Sequence, residues 1–253
     1  MTEEALFRAL LIFGFGSAIA VFGYLLFVPA PYGRFTRTGW GPTVGNRLGW
    51  IIMETPAALT IFLFIMFGSA PWSPALIAFI VLWEAHYIHR TYIFPFRLHT
   101  RGKRMPVMIV CSAIVFNLFN GYVNGRYLGH FAPPYPGDWL TGPRFICGAA
   151  LFAAGLFINM QSDTILMNLR KPGESGYKVP HGGLYRWVSC PNYLGEIIEW
   201  IGWAVATWSA PGLLFAVWTI ANLAPRALSN HRWSVKNIDN YPADRKALIP
   251  FIL

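Results

Sequence analysis

A cationic loop that runs directly into an apolar helix, over positions 169–200, holds the residues best suited to chemistry. The loop carries four basic side chains of the kind that bind phosphate-bearing ligands: Arg170, Lys171, Lys178 and Arg186. The helix that follows carries Glu196 and Glu199 in an apolar run, and carboxyl groups at membrane depth usually face a cavity or a partner. This combination predicts a membrane enzyme that uses a phosphorylated cofactor.

Further carboxyl groups lie within apolar segments. Glu54 precedes Pro56, which disturbs helical hydrogen bonding and often accompanies a cavity. A carboxyl group there can stay protonated and donate a hydrogen bond, although a structural pairing with a neighbouring helix is the alternative. Glu84, Tyr87 and Thr91 lie near one helix face. A tyrosine hydroxyl beside a protonated carboxyl group polarises a ketone oxygen, whereas Glu84 could also simply pair with a nearby histidine or arginine.

Two pairs of polar residues share the helical spacing of four. Asn159 and Asp163 end the fifth apolar segment, and Asn192 and Glu196 begin the sixth. Each pair lies on one helix face, so the four side chains could line a slot between helices. Amides and carboxylates suit ribose hydroxyls and a carboxamide. The glycine fingerprint of a dinucleotide-binding strand–helix unit is missing, which excludes a Rossmann site.

Two histidines, His86 and His89, raise the possibility of a metal site. Their spacing of three lacks a third plausible ligand at matching depth, so metal binding is the weaker interpretation. The three cysteines fit neither a metal site nor a disulfide framework. We therefore expect no metal.

Composition predicts that membrane-spanning helices position these residues. The chain is 55% apolar and 12% charged, with a mean hydropathy of +0.43, which is typical of an integral membrane protein. Seven apolar segments approach spanning length, at 5–28, 49–68, 74–94, 106–125, 144–166, 192–208 and 211–228. The sequence thus predicts an all-α polytopic membrane protein with seven transmembrane helices in a single domain, residues 1–253. Ser209-Ala210-Pro211 would separate the last two spans as a tight helical hairpin.

The basic residues predict the orientation. Of 20 lysines and arginines, 16 fall in the connections 29–48, 95–105 and 167–191 or in the tail from residue 226, all on one side of a seven-span chain. The positive-inside bias makes that side cytosolic, with the N-terminus outside and the C-terminus in the cytosol. The cations are spread over short connections rather than one basic face, which excludes nucleic acid as a partner.

Four sequence blocks resemble the steroid 5-alpha-reductase family. They are Glu54-Thr55-Pro56, the stretch from His86 to Thr91, the stretch from Leu169 to Glu174, and the stretch from Asn192 to Trp200. The chain resembles that family over nearly its whole length, and we expect the similarity to be strong towards the type 2 animal enzyme. The resemblance implies a seven-helix membrane reductase that takes its hydride from NADPH, with the cofactor-binding part mainly in residues 159–253.

The resemblance also implies individual roles. Glu54 and Tyr87 match the catalytic pair that hydrogen-bonds the 3-keto oxygen of a Δ4-3-ketosteroid. The positions that match NADPH-binding residues are Arg90, Lys103, Asn159, Asp163, Arg170, Tyr177, Asn192, Glu196 and Arg226. Trp50, Phe116 and Trp200 match positions that line the substrate cavity, together with the catalytic pair. The implied partners are a membrane-dissolved steroid and the bilayer, in the endoplasmic reticulum of a eukaryote or the inner membrane of a bacterium.

Departures from the family pattern leave the steroid preference open. Met53 stands where well-known animal members have glutamine, Ser234 stands where they have tyrosine, and Ser229-Asn230-His231 replaces their run of histidines. Lys103 replaces a family arginine and changes the geometry of one phosphate contact. The same fold family includes reductases of enoyl thioesters and polyprenols, and related methyltransferases use S-adenosylmethionine. A sterol-binding protein without turnover is a further alternative, against which Glu54 and Tyr87 argue because binding alone needs no such donors.

Overall fold

The structure, a computed structural model, describes residues 2–31, 33–35, 39, 41–99, 102–170, 174 and 176–253. Its helices are α1 (Glu3–Phe27), α2 (Asn46–Met66), α3 (Pro74–Ile88), α4 (Phe94–Arg97), α5 (Val107–Arg126), α6 (Pro143–Asn168), α7 (Pro191–Thr207) and α8 (Ala210–Asn237). Two π-helical stretches extend α3 and α5, at His89–Ile93 and Tyr127–Phe131. Lys171, which the sequence analysis placed in the cationic loop, lies outside the described residues.

The predicted helical architecture is confirmed, because each of the seven apolar segments contains one long helix. In the described part of the chain, four helical stretches are long and apolar enough to cross a membrane: Glu3–Phe27, Asn46–Met66, Val107–Phe131 and Pro143–Asn168. The helices in the other three apolar segments do not meet that description. Helices α3 and α7 have only 15 and 17 residues, and α8 continues into a polar end. The count of seven spans and the orientation of the termini therefore stay predictions.

A short antiparallel ribbon was not predicted from the sequence. Strands β1 (Thr43–Gly45) and β2 (Arg104–Pro106) pair in front of α2 and α5. The backbone N–H of Asn46 also donates to the Lys103 carbonyl at 3.0 Å. The ribbon thus fixes the starts of two helices that carry site residues.

The predicted hairpin between α7 and α8 is present. The first of these helices ends at Thr207, and Trp208 takes the left-handed conformation with φ of 47°. Ser209 then caps α8, since its Oγ accepts a hydrogen bond from the Gly212 N–H at 3.0 Å. Chain reversal over so few residues places α7 and α8 side by side.

Glycines allow α6 and α7 to pack backbone against backbone. A Cβ atom on Gly155 would lie 2.5 Å from the Gly195 carbonyl oxygen, and one on Gly195 would lie 2.5 Å from the backbone nitrogen of Asn159. Such close approach through small residues is the usual packing mode of membrane helices. It brings the polar face of α6 directly onto that of α7.

The C-terminal tail fastens the segment that precedes α7. Ser189 and Cys190 donate backbone hydrogen bonds to the carbonyls of Lys246 and Ala247, at 2.8 and 3.1 Å. Arg245, only 3% exposed, donates from Nη2 to the Pro180 carbonyl at 3.0 Å. The start of α7, and with it Asn192 and Glu196, is therefore held by residues more than fifty positions away.

Candidate active site

Glu54 lies on α2 and is oriented by a neighbouring helix. The Asn117 side chain of α5 donates from Nδ2 to Glu54 Oε2 at 3.1 Å and to the Met53 carbonyl at 2.6 Å. Among the described residues, Oε1 of Glu54 has no hydrogen-bond partner. This second oxygen is thus the atom through which a protonated Glu54 can donate to a ligand.

Tyr87 lies on α3 with its ring enclosed by other rings. Its ring centroid is 4.9 Å from those of Trp83 and His86 and 5.8 Å from that of Trp200, and the residue is 3% exposed. The Asn120 side chain and the Glu54 carboxyl group are close enough to influence its hydroxyl group. Glu54 and Tyr87, which were paired from the sequence, therefore lie close together, the tyrosine buried and the glutamate half-buried. We call these two residues and the rings around Tyr87 the deep cluster.

A row of asparagines on α5 was missed by the sequence analysis. Asn117, Asn120 and Asn124 are all buried and follow one helix face. Asn124 donates to Asn120 Oδ1 at 3.0 Å, and its own Oδ1 accepts from Trp203 Nε1 at 3.0 Å. The row supports Glu54 at one end and continues past Tyr87. Three asparagines at helical spacing within an apolar span were the signal in the sequence.

Trp200 and Phe116, the expected cavity residues, differ in their surroundings. Trp200 is 1% exposed and packs on Phe215 at 4.1 Å and His86 at 4.7 Å, in the centre of the bundle. Phe116 is half-buried and packs on Trp218 at 5.0 Å. Both belong to the same aromatic wall, because each of them also contacts Phe215.

The four polar residues predicted to share a slot are in contact. Asn159 donates to the Asn192 backbone carbonyl at 3.0 Å and approaches Glu196 Oε2 at 3.5 Å. Asn192 donates from its own side chain to Asp163 Oδ1 at 3.1 Å. We call these four residues the polar slot. Two carboxylates and two amides, linked between α6 and α7, offer acceptors and donors to a polar ligand.

Arg90 lies between the polar slot and the deep cluster, because it interacts electrostatically with both Asp163 and Glu54. It lies in the π-helical stretch His89–Ile93, and such stretches are frequent at functional sites. Its Nη1 lies 3.5 Å from Asp163 Oδ2, and its guanidinium group stacks on Trp50 at 4.5 Å and on Phe94 at 4.6 Å. Trp50, expected to line the substrate cavity, thus supports the arginine that reaches the slot.

A cavity of about 250 Å³ opens onto the slot. Its lining combines apolar side chains with polar and basic ones: Asn46, Phe94, Leu98, His99, Lys103, Asp163, Leu166, Met167 and Arg170. Three of the residues expected to bind cofactor, namely Lys103, Asp163 and Arg170, therefore share this single cavity. Because two of them are cations, the cavity suits an anionic group.

Tyr177 extends this basic region with two arginines. Arg34 stacks on Tyr177 at 5.3 Å and on Trp233 at 4.7 Å, and Arg170 lies 6.0 Å from the Tyr177 ring centroid. Arg34 also donates to Ser234 Oγ at 2.9 Å. We call Arg34, Lys103, Arg170 and Tyr177 the cationic mouth. Arg34 was not predicted as a site residue, because its position in the connection 29–48 indicated only the orientation of the chain in the membrane.

Arg226 and Glu84, both singled out from the sequence, differ in whether the structure gives them a partner. Arg226 donates to the Tyr193 hydroxyl at 3.0 Å and stacks on its ring at 5.1 Å, in contact with α7 just after Asn192. Glu84 is half-buried, and its Oε1 is buried without a hydrogen-bond partner. Among the described residues, no histidine or arginine pairs with Glu84, so the alternative of such a pairing receives no support.

Comparison with known proteins decides the family. The sequence profile of the family described as 3-oxo-5-alpha-steroid 4-dehydrogenase matches residues 103–253. Steroid 5-alpha-reductase DET2 of Gossypium hirsutum is 42% identical, and the match covers 99% of each chain. The chain belongs to the steroid 5-alpha-reductase family. The human protein named 3-oxo-5-alpha-steroid 4-dehydrogenase 1 is 41% identical over 100% of this chain and 97% of its own length.

Relatives within this enzyme family refine one expectation. The protein named 3-oxo-5-alpha-steroid 4-dehydrogenase 1 of Macaca fascicularis is 44% identical, over 87% of this chain and 84% of its own. These relatives are plant enzymes and animal type 1 enzymes, so they give no support to a special similarity with the type 2 animal enzyme. The plant and animal relatives named here are 41–44% identical to this chain, so neither group stands out as more similar.

The residues present fit a nicotinamide dinucleotide. The polar slot provides carboxylates and amides for hydroxyl groups and a carboxamide, and the cationic mouth provides cations for phosphates. Thr91, on the same π-helical stretch as Arg90, is completely buried and its Oγ1 has no partner. A buried hydroxyl group without a partner is costly and indicates that a polar group can be received there.

Proposed function

We propose that this protein reduces the Δ4 double bond of 3-ketosteroids and that NADPH is the hydride donor. The observation that supports this proposal most strongly is the position of Glu54 and Tyr87. Tyr87 is buried among aromatic rings, and the half-buried Glu54 lies beside it. Arg90 interacts with both Glu54 and Asp163, so it lies between this deep cluster and the cavity that Lys103 and Arg170 border. Two hydrogen-bond donors deep in an apolar site suit a ketone on an otherwise apolar substrate.

The residues of the deep cluster would stabilise charge during the reaction. When bound, NADPH supplies a hydride to the β-carbon of the conjugated enone. Negative charge then develops on the ketone oxygen, where Glu54 Oε1 and the Tyr87 hydroxyl donate hydrogen bonds. Asn117 holds the other oxygen of Glu54, so the donor is oriented before substrate arrives. The aromatic wall around Trp200 excludes water, which strengthens both hydrogen bonds.

The choice of NADPH over NADH rests on the number of cations. The cationic mouth contains three cations, Arg34, Lys103 and Arg170, which is more than a pyrophosphate requires. The excess is available for the phosphate on the adenosine ribose. A catalytic efficiency with NADH equal to that with NADPH would overturn this part of the proposal.

We further propose that the chain spans the membrane seven times, with the cationic mouth in the cytosol. The membrane would be the endoplasmic reticulum in a eukaryote or the inner membrane in a bacterium, and the steroid would enter from the bilayer. The separation of basic residues supports this arrangement, because 16 of 20 lie on the side that carries the mouth.

Cysteine labelling tests this orientation. Exposed Asp138 and Lys178 should react from opposite faces when each is replaced by cysteine and treated with a membrane-impermeant reagent. Cys111 and Cys147 are exposed and should first be replaced by serine, whereas burial raises the pKa of the Cys190 thiol to about 12 and keeps it unreactive. Labelling of both positions from one face would contradict the seven-span arrangement.

Product analysis tests the reaction. Purified protein with NADPH should be given a 3-ketosteroid enone, the corresponding saturated ketone, an enoyl thioester and a polyprenol. We expect NADPH oxidation and a 5-alpha-reduced product with the enone steroid. Turnover of the thioester or the polyprenol without turnover of the steroid would favour the rival reductases. Methyl transfer from S-adenosylmethionine without any reduction would favour the methyltransferase alternative.

A further inference from the structure

A buried acid–base pair lies directly behind Tyr87. His86 on α3 and Glu199 on α7 meet at 2.9 Å, between Nδ1 of the histidine and Oε1 of the glutamate. Their side chains are 6% and 0% exposed, respectively. The His86 ring contacts those of Tyr87 and Trp200, at 4.9 and 4.7 Å between centroids. Glu199 received no role in the site described so far.

The pair leaves one ring nitrogen available. Nδ1 of His86 is occupied by Glu199, and the described part of the chain offers Nε2 no hydrogen-bond partner, although Nε2 is not fully occluded. Glu199 Oε2 is fully buried and also lacks a partner. When the pair holds two protons, one shared between Oε1 and Nδ1 and the other on Nε2, the Nε2–H group can donate its proton to a ligand or a water molecule.

Stability alone is a weak reason for such a pair. Two ionisable groups removed from water incur a desolvation cost that their attraction often fails to offset, and apolar residues of similar volume frequently stabilise a protein as well. Ionisable residues inside a membrane bundle commonly mark functional sites, among them substrate or ion pathways and proton relays. Charged and titratable groups surround the histidine from three helices: Glu54 on α2, Tyr87, His89 and Arg90 on or next to α3, and Glu196 and Glu199 on α7.

We propose that the His86–Glu199 pair supplies the proton that completes the reduction, at the α-carbon of the enone. This proposal rests on the function proposed above, in which charge accumulates on the ketone oxygen as an enolate. The enolate electron pair forms the new carbon–hydrogen bond with the proton of Nε2–H, directly or through one water molecule. The electrons of the broken N–H bond stay on Nε2.

The proton count of the pair explains why both residues are needed. As Nε2–H is given up, the proton shared with Glu199 remains on Nδ1, so the imidazole ends neutral and Glu199 ends as a carboxylate. Without Glu199, a neutral imidazole would have to become an imidazolate, which is far less favourable. Water then returns one proton to the pair, and the overall reaction consumes one enone, one NADPH and one proton.

Three variants of the full-length protein test this role: His86→Gln, Glu199→Gln and the control His89→Gln. His89 is a second buried histidine on the same helical stretch, in contact with neither the Tyr87 ring nor the Trp200 ring in the structure. At neutral pH we expect kcat to fall by about 10²-fold or more in the first two variants, as for loss of a general acid, and to stay within about threefold of wild type in the control. NADPH affinity, measured by fluorescence titration, should be unchanged in all three.

The pH profile separates a proton donor from a structural pair. Lowering the pH should restore turnover in Glu199→Gln, because an imidazolium can donate its proton without a carboxyl partner, while His86→Gln should show no recovery. The solvent deuterium isotope effect on kcat should rise in Glu199→Gln, since proton delivery becomes slower than hydride transfer. Equal kcat values for His86→Gln and His89→Gln, or parallel pH profiles for His86→Gln and Glu199→Gln, would overturn the proposal.

The proposed reaction and the proposed role of His86 and Glu199 can be refuted separately. If the wild-type protein does not reduce an enone steroid, the proposed function itself fails. If wild type is active and Tyr87→Phe is impaired, yet the two pair variants turn over like wild type, only the role of His86 and Glu199 is refuted. A His86→Gln protein that does not fold leaves Glu199→Gln and its pH recovery as the deciding measurement.

Discussion

The substitution Tyr87→Phe removes one proposed donor from the ketone oxygen and changes little else. Phenylalanine keeps the ring, so the contacts with Trp83, His86 and Trp200 at 4.9, 4.9 and 5.8 Å remain. The lost group is a buried hydroxyl beside the Asn120 side chain. The change therefore tests a hydrogen bond rather than the packing of the bundle.

The expected magnitudes separate catalysis from stability. Loss of one preorganised donor to an oxyanion typically lowers kcat by about 10²–10³, equivalent to about 2.7–4 kcal/mol in the transition state. The free energy of unfolding should fall by only about 0.5–1.5 kcal/mol, because that is the net contribution of a typical intramolecular hydrogen bond. NADPH affinity should hardly change, since Tyr87 belongs to the deep cluster and contributes nothing to the polar slot.

Single-turnover reduction of an enone steroid measures the chemical step, and thermal denaturation in detergent measures stability. Tyr122→Phe is the matched control, because it removes a tyrosine hydroxyl from α5 where the ring packs on Phe7 and Phe64, away from the deep cluster. We expect wild-type turnover for this control. A folded Tyr87→Phe protein with near wild-type kcat would refute the assignment of Tyr87 as a donor, whatever the family membership of the chain.

Three further predictions follow from the contacts. Glu54→Gln should retain more kcat than Glu54→Ala, since its amide oxygen can still accept from Asn117 while its NH₂ group donates to the ketone; equal losses would count against the donor role. Arg170→Ala should raise the KM for NADPH more than the KM for steroid, because Arg170 lines the cation-rich cavity; steady-state kinetics with each substrate varied gives the ratio. Gly195→Ala should lower the Tm and weaken NADPH binding, because its Cβ would lie 2.5 Å from the backbone nitrogen of Asn159. Gly16→Ala in the interior of α1, where a Cβ meets nothing within 4 Å, should not lower the Tm and should leave NADPH binding unchanged.

The parts of the site that depend on local spacing were predictable from the sequence. Residues four apart share a helix face whatever the rest of the fold does, so the spacing of Asn159 and Asp163, and of Asn192 and Glu196, indicated a slot. The long helices were predictable for a similar reason, since an apolar run in lipid must satisfy its backbone hydrogen bonds internally. Both features depend on short-range geometry.

Contacts between distant segments were not predictable. Arg34 and Ser234 are 200 positions apart, and no periodicity links them, so Arg34 was not recognised as part of the site. Asn117 could be placed on a helix face, but the identity of its partner depends on how α2 packs against α5. The π-helical stretch that carries Arg90 escaped prediction because it depends on one extra residue in a turn rather than on a sequence pattern.

The polar groups of the site are ordered by the cost of burying them. Cations lie at the mouth, where Arg170 and Lys103 border a cavity, and the amides and carboxylates of the slot follow, neutralised in part by Arg90. Beyond them lie groups that can be uncharged when protonated, Glu54 and the His86–Glu199 pair. A low dielectric strengthens hydrogen bonds from such neutral donors and penalises any net charge left unpaired. The same gradient suits a ligand with an anionic end at the mouth and a reactive end inside. The proposed NADPH would therefore enter with its nicotinamide first and its phosphates last, at the cations of the mouth.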